Sequence, residues 1–486
     1  MREWPAVAHR ALPAGSPSFD SESLAAAVGG ALVRPAARPI RGGAVDSRLV
    51  EPGNAFFALP GERTDGHHFV LDAARRGAAA VVVSKRPDSA EMDELRSAGD
   101  MAVVLVGDGL LALRRAAAAW RSRFTPLVVG ITGSLAKTST KEQTAELLAA
   151  RWRVLRNRAN ENNEIGLPLT VLRLMPEDEV AVLEMGMYQP GDIAILSEVA
   201  RPQIGIVTAV RGTHLARAGS IEAIERGKRE LVETLPAGGT AILNADDVRV
   251  SRMADTAPPG VEVLTYGFDS GADVRGADVE SLGDRGMRFR LVTHRGSRDV
   301  AIPALGRHSA HNALGAGAAA LAAGMTLDEV AAALVRPFSA PHRSTLIEAG
   351  EWRILDDTYN AAPDSMAAAL DLLSGLSGRH VAVLGEMLEL GAESDAAHRR
   401  VGTRAARTAD VLVAVGRPGQ IYADAAEAAG MDARAVHIVG DRDEALAALQ
   451  RILEPGDVVL FKASNGERFF DLVDDLCALA SGQPVA

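Results

Sequence analysis

One cysteine, Cys477, occurs in 486 residues, which excludes an intrachain disulfide framework and any metal cluster built from cysteine alone. Such a chain suits a reducing compartment, with the cytoplasm as the default. Positive charge is also short. The 52 Lys+Arg stand against 63 Asp+Glu, a formal net charge of −11, whereas general nucleic-acid binders show a basic excess. No stretch approaches the roughly 20 apolar residues of a membrane span, and the opening MREWPAVAHRALPAG lacks a signal-peptide core. No fixed-period repeat is evident either. Hydrophobic residues, at 47%, suffice to build a core in each of about three domains of roughly 100–200 residues.

Short apolar runs alternate with Ala-rich helical stretches along almost the whole chain, the pattern of α/β architecture with parallel strands. Residues 1–108 hold the strand candidates AFFALP, AAAVVVSK and MAVVLVG, a small α/β domain, after which LLALRRAAAAWRSRF reads as an amphipathic helix leading to Pro126. Residues 109–336 hold LVVGIT, EVAVLEM, IGIVTAV and GTAILNA, a nucleotide-binding type of parallel sheet. Inside that unit, residues 263–300 carry many Gly, Asp and Arg with alternating patterning and read as antiparallel hairpins. Helix returns with HNALGAGAAALAAGM, and the two prolines of RPFSAPHR mark a hinge. Residues 337–486 hold WRILDD, HVAVLGE, DVLVAVG, AVHIVG and GDVVLFK, which predict a second doubly wound, Rossmann-like domain.

Ligands of open parallel sheets bind beyond the carboxyl ends of the strands, so the residues leaving each apolar run carry the functional information. In the central unit LVVGI runs into TGSLAKTSTKE, EVAVL ends at Glu184, IGIVTAV is followed by His214, and GTAIL ends at Asn244. The loop from Gly130 to Thr140, with Thr132, Gly133, Ser134 and Ser139, lies between a strand and a helix, where backbone N–H groups cradle phosphates. Lys137 would reach the β/γ-phosphates and the Thr138 hydroxyl would bind Mg²⁺. Each residue also has an ordinary reading: a strand-to-helix turn with a solvated lysine, a strand-end carboxylate at Glu184, and a surface-loop histidine at His214. Lys228, in the charge-laced IEAIERGKRE, reads by default as a solvated helix lysine.

From about Val45 to Leu476 the chain resembles the Mur ligases of peptidoglycan synthesis. The resemblance rests on DSR (Asp46 to Arg48), FFALPGERTDGHHF (Phe56 to Phe69), NENNEIGLPLTVL (Asn160 to Leu172), HRSTLIEAGEWRILDDTYNAAPDSM (His342 to Met366) and GEMLELGAESDAAHRRVG (Gly385 to Gly402). NNEIG and DDTYNAAPDSM resemble in particular the member that adds D-alanyl-D-alanine to UDP-N-acetylmuramoyl-tripeptide. The resemblance implies an acyl-phosphate mechanism with ATP and Mg²⁺, and with those two substrates. Lys137 and Thr138 would hold phosphates and the first Mg²⁺, with Glu184 as a further ligand and His214 at a second metal site. Lys228 matches a lysine the family carries as a carbamate. Asn244 and Asn312 match nucleotide contacts, while Arg343 and Asp357 match residues reaching ATP from the last domain. Ser47, Arg48, Asp65 and Gly66 match first-domain positions for the uridine diphosphate part, and Asn162 and Asn163 belong to the substrate-binding NNEIG stretch. The implied protein is a cytoplasmic monomer with no nucleic-acid partner and no membrane insertion.

Three departures stand out against the family pattern: Ala136 replaces the glycine before the loop lysine, His342 replaces a common glycine, and KASN (Lys462 to Asn465) replaces the commoner KGSR. Two alternatives follow, a Mur-type ligase for another amino substrate and a non-catalytic nucleotide-binding paralogue. A dinucleotide-dependent oxidoreductase is excluded by the loop, which offers Lys-Thr where that class needs G-x-G-x-x-G.

Overall fold

The computed structural model describes residues 17–61, 64–158, 160–212, 219–338 and 340–482, and among these the strands form three sheets in succession along the chain. The first contains β1 (Ala31–Arg34), β2 (Gly43–Ala44), β3 (Ala55–Phe57), β4 (Ala80–Val83) and β5 (Ala102–Leu105), in the order β1-β5-β4-β3-β2. All its neighbours are parallel except β1, which runs antiparallel to β5. The three apolar runs of the sequence are β3 to β5, buried at nearly every position.

The second sheet has nine strands. They are β6 (Leu127–Thr132), β7 (Val154–Arg156), β8 (Val180–Glu184), β9 (Ile204–Val207), β10 (Thr240–Asn244), β11 (Glu262–Gly267), β12 (Val274–Ser281), β13 (Met287–Thr293) and β14 (Gly296–Ile302). The order is β14-β13-β12-β11-β10-β9-β6-β8-β7. Expecting antiparallel hairpins throughout residues 263–300 was too broad, because β11 pairs in parallel with both β10 and β12. Antiparallel pairing begins with β12 and β13 and ends with β14. The reason is burial: the helix Arg307–Ala322 packs on β11 and β12, and Tyr266 is enclosed there. Farther out, β13 alternates buried and exposed positions, as a one-sided antiparallel sheet does.

The third sheet contains β15 (Thr345–Ala349), β16 (Trp352–Asp356), β17 (His380–Leu384), β18 (Val411–Val415), β19 (Val436–Val439) and β20 (Val458–Lys462), in the order β15-β16-β20-β17-β18-β19. Only β15 is antiparallel. Its residues, TLIEA, are mostly half-exposed on a sheet edge, so no apolar run announces the strand. The three α/β units match the expected fold class.

The helix Gly109–Arg121 ties the first two units together. Its Ala112, Leu113, Ala116, Ala117 and Trp120 share one core with β3 to β5 and with Val128, Ala181 and Leu183 of the central sheet. The Trp120 Nε1 donates to the Leu174 carbonyl at 3.0 Å. Apart from Leu305, which packs into one of its clusters, the third unit has its own apolar clusters and meets the central sheet across a cleft of about 1690 Å³.

Candidate active site

The carboxyl end of β6 opens one wall of the cleft. Gly133 has φ 154°, and a Cβ there would lie 1.8 Å from the Thr208 Oγ1, so only glycine lets the loop pass under the next strand exit. The Thr208 hydroxyl donates to the Leu135 carbonyl at 2.6 Å, and the Ser134 hydroxyl donates to the Arg211 carbonyl at 3.0 Å. The loop is thus fixed from below. Ala136, at φ 65° and ψ −1°, turns the chain into the helix Lys137–Leu148. The N-terminal N–H groups and positive dipole end of that helix face the cleft, an anion site by construction. Ser134, Lys137, Thr138 and Ser139 line the cleft, whereas Gly130 and Thr132 are buried within β6. The Lys137 ammonium donates to the Gly133 carbonyl at 2.7 Å. Burial lowers its pKa, Glu184 opposes that, and Arg343 adds to it.

Glu184 ends β8 almost fully buried, and Asn157 clamps its backbone. The Glu184 N–H donates to the Asn157 Oδ1, and the Asn157 Nδ2 donates to the Glu184 carbonyl, each at 3.0 Å. Lys141, wholly buried, donates in turn to the Asn157 carbonyl at 2.8 Å. The Glu184 Oε1 accepts from the Asn162 Nδ2 at 2.7 Å, while among the described residues its buried Oε2 has no partner. A buried carboxylate oxygen left open on the same cleft as the Thr138 hydroxyl is a hard-oxygen donor set of the kind Mg²⁺ takes together with phosphate oxygens. Asn163 also lines the cleft, and its Oδ1 accepts from the Gly166 N–H at 2.8 Å.

Lys228, on the helix Ile221–Glu233, is not the solvated lysine of the default reading. It is 4% exposed, and among the described residues no acceptor meets its ammonium. The helix is amphipathic, capped by Ser220, and turns this position inward with Ile224 and Leu231. Burial, then the charge of Lys137, holds the Lys228 pKa well below its ordinary value. His214 lies outside the described residues.

The third unit supplies the opposite wall. Its Arg343 donates through Nη2 to the Thr138 Oγ1 at 3.2 Å and stacks on the Tyr359 ring with its guanidinium carbon 4.0 Å from the centroid. Asp357, leaving β16, accepts from the Lys462 Nζ at 2.6 Å and from the Ser344 N–H at 3.1 Å. Lys462 leaves the adjacent β20 and is buried. Asn312 and His308 close the cleft from the helix Arg307–Ala322. Burial lowers the His308 pKa most; Asp357 opposes this.

Other expected residues lie elsewhere. Asn244 is buried behind the cleft, its Nδ2 donating to the Thr208 carbonyl at 2.7 Å and its Oδ1 accepting from the Asp246 N–H at 2.9 Å. Its Oδ1 also lies 3.1 Å from the His311 Nε2. Ser47, Arg48, Asp65 and Gly66 are in the first unit and do not line the cleft. There Asp65 is held far below the usual carboxylate range by Lys85 and His67, and Arg48 pairs with Asp46 at 2.6 Å. The sequence reading missed Tyr359, His308, Asn157 and the pairing of Lys462 with Asp357. Lys462 stands at a strand exit, so the rule that found Glu184 also reaches it. For Asn157 no local pattern exists.

Comparison with known proteins gives matches along the chain. Residues 39–121 match the Mur ligase family catalytic domain, 131–320 the Mur ligase middle domain, and 342–465 the Mur ligase glutamate ligase domain. The UDP-N-acetylmuramoyl-tripeptide--D-alanyl-D-alanine ligase of Mycobacterium tuberculosis (strain ATCC 25618 / H37Rv) is 38% identical, covering 89% of this chain and 91% of the relative. That of Bacillus subtilis (strain 168) is 34% identical over 90% and 93%. Among solved structures, the UDP-N-acetylmuramoylalanyl-D-glutamyl-2,6-diaminopimelate--D-alanyl-D-alanyl ligase of Acinetobacter baumannii superposes with TM-score 0.84 at 30% identity, covering 96% and 99%. A MurF ligase of Thermotoga maritima in complex with ADP gives 0.78 at 27% identity, covering 91% and 98%.

Proposed function

This chain belongs to the Mur ligase family, and from that membership we propose how its residues divide the work of ligation. It is an ATP-dependent ligase that joins UDP-N-acetylmuramoyl-tripeptide to D-alanyl-D-alanine in peptidoglycan synthesis. Carboxylate and amine do not condense usefully in water, so the peptide's terminal carboxylate oxygen first takes the γ-phosphoryl group of ATP. ADP is the leaving group of that transfer; the dipeptide amine then attacks the acyl phosphate, forms the amide with loss of one proton, and inorganic phosphate leaves. Catalysis of such a transfer is positioning and charge neutralisation.

The observation that carries this assignment of roles is the meeting of two walls: Lys137, Thr138 and Glu184 on the central sheet, and Arg343 from the third unit within 3.2 Å of Thr138. Lys137 and the helix N-terminus hold the β- and γ-phosphates. Thr138 and Glu184 hold Mg²⁺, with His214 assigned to a second ion by resemblance. An ion held there would supply positive charge against the phosphate oxygens. Lys228, whose pKa burial and then the charge of Lys137 hold well below its ordinary value, would take up carbon dioxide as the free amine with loss of one proton, and the resulting carbamate would give an anionic oxygen where an ammonium would repel cations. Arg343 and Asp357 serve ATP from across the cleft, and Asn312 contacts the base with Asn244 behind it. Ser134 and Ser139 complete the phosphate loop that Gly130, Thr132 and Gly133 shape.

Ser47, Arg48, Asp65 and Gly66 hold the uridine diphosphate on the first unit, and Asn162 and Asn163 border the peptide. We take the peptide as alanyl-D-glutamyl followed by a diamino acid, as the Acinetobacter relative's name spells it. The division into residues 1–108, 109–336 and 337–486 is supported by each sheet falling within one unit. A monomer in the reducing cytoplasm fits a chain with one cysteine.

Purified protein with ATP and Mg²⁺ should release phosphate only when both UDP-N-acetylmuramoyl-tripeptide and D-alanyl-D-alanine are present. Equal or faster turnover with UDP-N-acetylmuramate and L-alanine would move the chain to another step.

A further inference from the structure

The helix Gly109–Arg121 carries three arginines, Arg114, Arg115 and Arg121, and the first and last stand in opposite circumstances. Arg121, at its end, is buried and satisfied: its guanidinium donates to the carbonyls of Ala200, Phe124 and Pro126 at 3.0, 2.8 and 3.3 Å. That is how a structural arginine is built into a core. Arg114, two turns earlier, lines the cleft together with Asn162 and Asn163. Among the described residues its Nε, sealed from solvent, meets no acceptor, and the side chain makes no ion pair. Arg114 is only half-buried, so its Nη groups are not sealed as its Nε is, and an unpaired buried N–H at the wall of a ligand cleft costs stability and gives nothing back to the fold. The guanidinium fork suits a planar carboxylate, which it meets with two parallel hydrogen bonds.

We propose that Arg114 is a specificity-determining residue that binds a non-reacting carboxylate of the tripeptide. Arg114 stands on the helix that joins the first unit to the central sheet, and lines the same cleft as Asn162, which holds Glu184. The peptide, anchored by its nucleotide on the first unit, passes this wall on its way to the phosphate. A D-glutamyl residue linked through one carboxylate keeps the other free, and diaminopimelate keeps a second carboxylate at the far end of its chain from the reacting one. The dipeptide, whose amine must reach the activated carboxyl from the third unit's side, has no reason to cross it.

The proposal rests on the ligase reading and is separated from it by the wild-type control. No turnover of tripeptide with D-alanyl-D-alanine by the wild type would sink that reading. With turnover established, Arg114→Gln should raise KM for the tripeptide about 10- to 100-fold, the range for a charge-assisted hydrogen-bond pair. Its kcat and its KM for ATP and for the dipeptide should stay within about twofold, which a merely structural loss would not respect. The wild type should show the same rise in KM for a tripeptide amidated at either the D-glutamyl carboxylate or the second carboxylate of the third residue. Arg114→Gln should be insensitive to that same amidation. A wild-type enzyme indifferent to both amidations overturns the proposal whether or not the variant folds. So does a variant whose KM rises for the dipeptide instead.

Discussion

Ala136 and His342 stand where Mur ligases favour glycine, and both adopt the left-handed region, at φ 65° and 60°. A Cβ there costs roughly 1–2 kcal/mol, while glycine restores roughly 0.4–1 kcal/mol of unfolded-state entropy. Ala136→Gly should therefore gain between about 0 and 1.6 kcal/mol in denaturant unfolding and shift ATP affinity by less than about tenfold. If only the glycine variant bound ATP, the natural loop would be a dead one. His342→Gly should have the opposite sign, because the imidazole Nδ1 lies 2.8 Å from the Asp356 Oδ2 and the variant strips that partner away. The hydrogen bond to Asp356 raises the His342 pKa, against the opposing effect of burial, with Asp474 adding to the rise. The pair's contribution is thus full below the unfolded value of about 6.5 and is lost as pH climbs through the higher folded value. The stability gap between wild type and His342→Gly should be wider at pH 6 than at pH 9. Lys228 is the third residue whose chemistry is set by its surroundings. Lys228→Ala should abolish turnover with an unchanged circular dichroism spectrum, and added formate should restore part of it. Full activity without additive would remove the carbamate from the mechanism.

Among the elements, the helix Lys137–Leu148 is the one whose sequence says least about its setting. Before the apolar Ala145, Leu147 and Leu148 of its last turn, KTSTKEQT is polar on every face, yet Thr140, Lys141, Glu142, Gln143 and Thr144 are all buried between the central sheet and the helix Arg307–Ala322. Lys141 pairs with Glu142 at 2.6 Å, and Arg156 approaches the other Glu142 oxygen at 3.2 Å. Removing one member of a buried pair strands the other, so Lys141→Met should cost about 3–5 kcal/mol in urea unfolding, and Lys141→Met with Glu142→Leu should recover much of it. A loss below about 1 kcal/mol would mean that water reaches the site. The strand-to-helix loop and the buried parallel strands were legible because uninterrupted apolar runs and their polar exits are local signals. The edge strand β15, the Lys462–Asp357 pair and the open guanidinium of Arg114 were not. The first lacks an apolar run, the second joins residues 105 positions apart, and the third depends on which face of a helix meets a cleft.

At the scale of the whole molecule, the first two units share a core, whereas the third meets them mainly through polar links. Arg343 reaches Thr138, Arg211 lies 3.3 Å from Asp364, the Ser344 hydroxyl is 3.3 Å from the His308 Nε2, and Arg353 pairs with Asp284. Part-exposed ion pairs contribute about 0–1 kcal/mol each, so the third unit can swing away at small cost while the first two move as one body. ATP and peptide would then enter an open cleft, and closure would bring Arg343 to the phosphates. Because Arg343 acts only from the far wall, it should matter more to the transferring phosphoryl group than to ground-state nucleotide. Arg343→Ala should lower kcat about 10²- to 10³-fold, as loss of a preorganised charge does. ATP affinity of the protein without peptide, read by titration, should change by less than about tenfold, and the unfolding midpoint should barely move, since the side chain joins units rather than filling a core. If ATP binding fell as far as kcat, Arg343 would belong to the resting nucleotide site, and the closed arrangement would already exist before the peptide arrives.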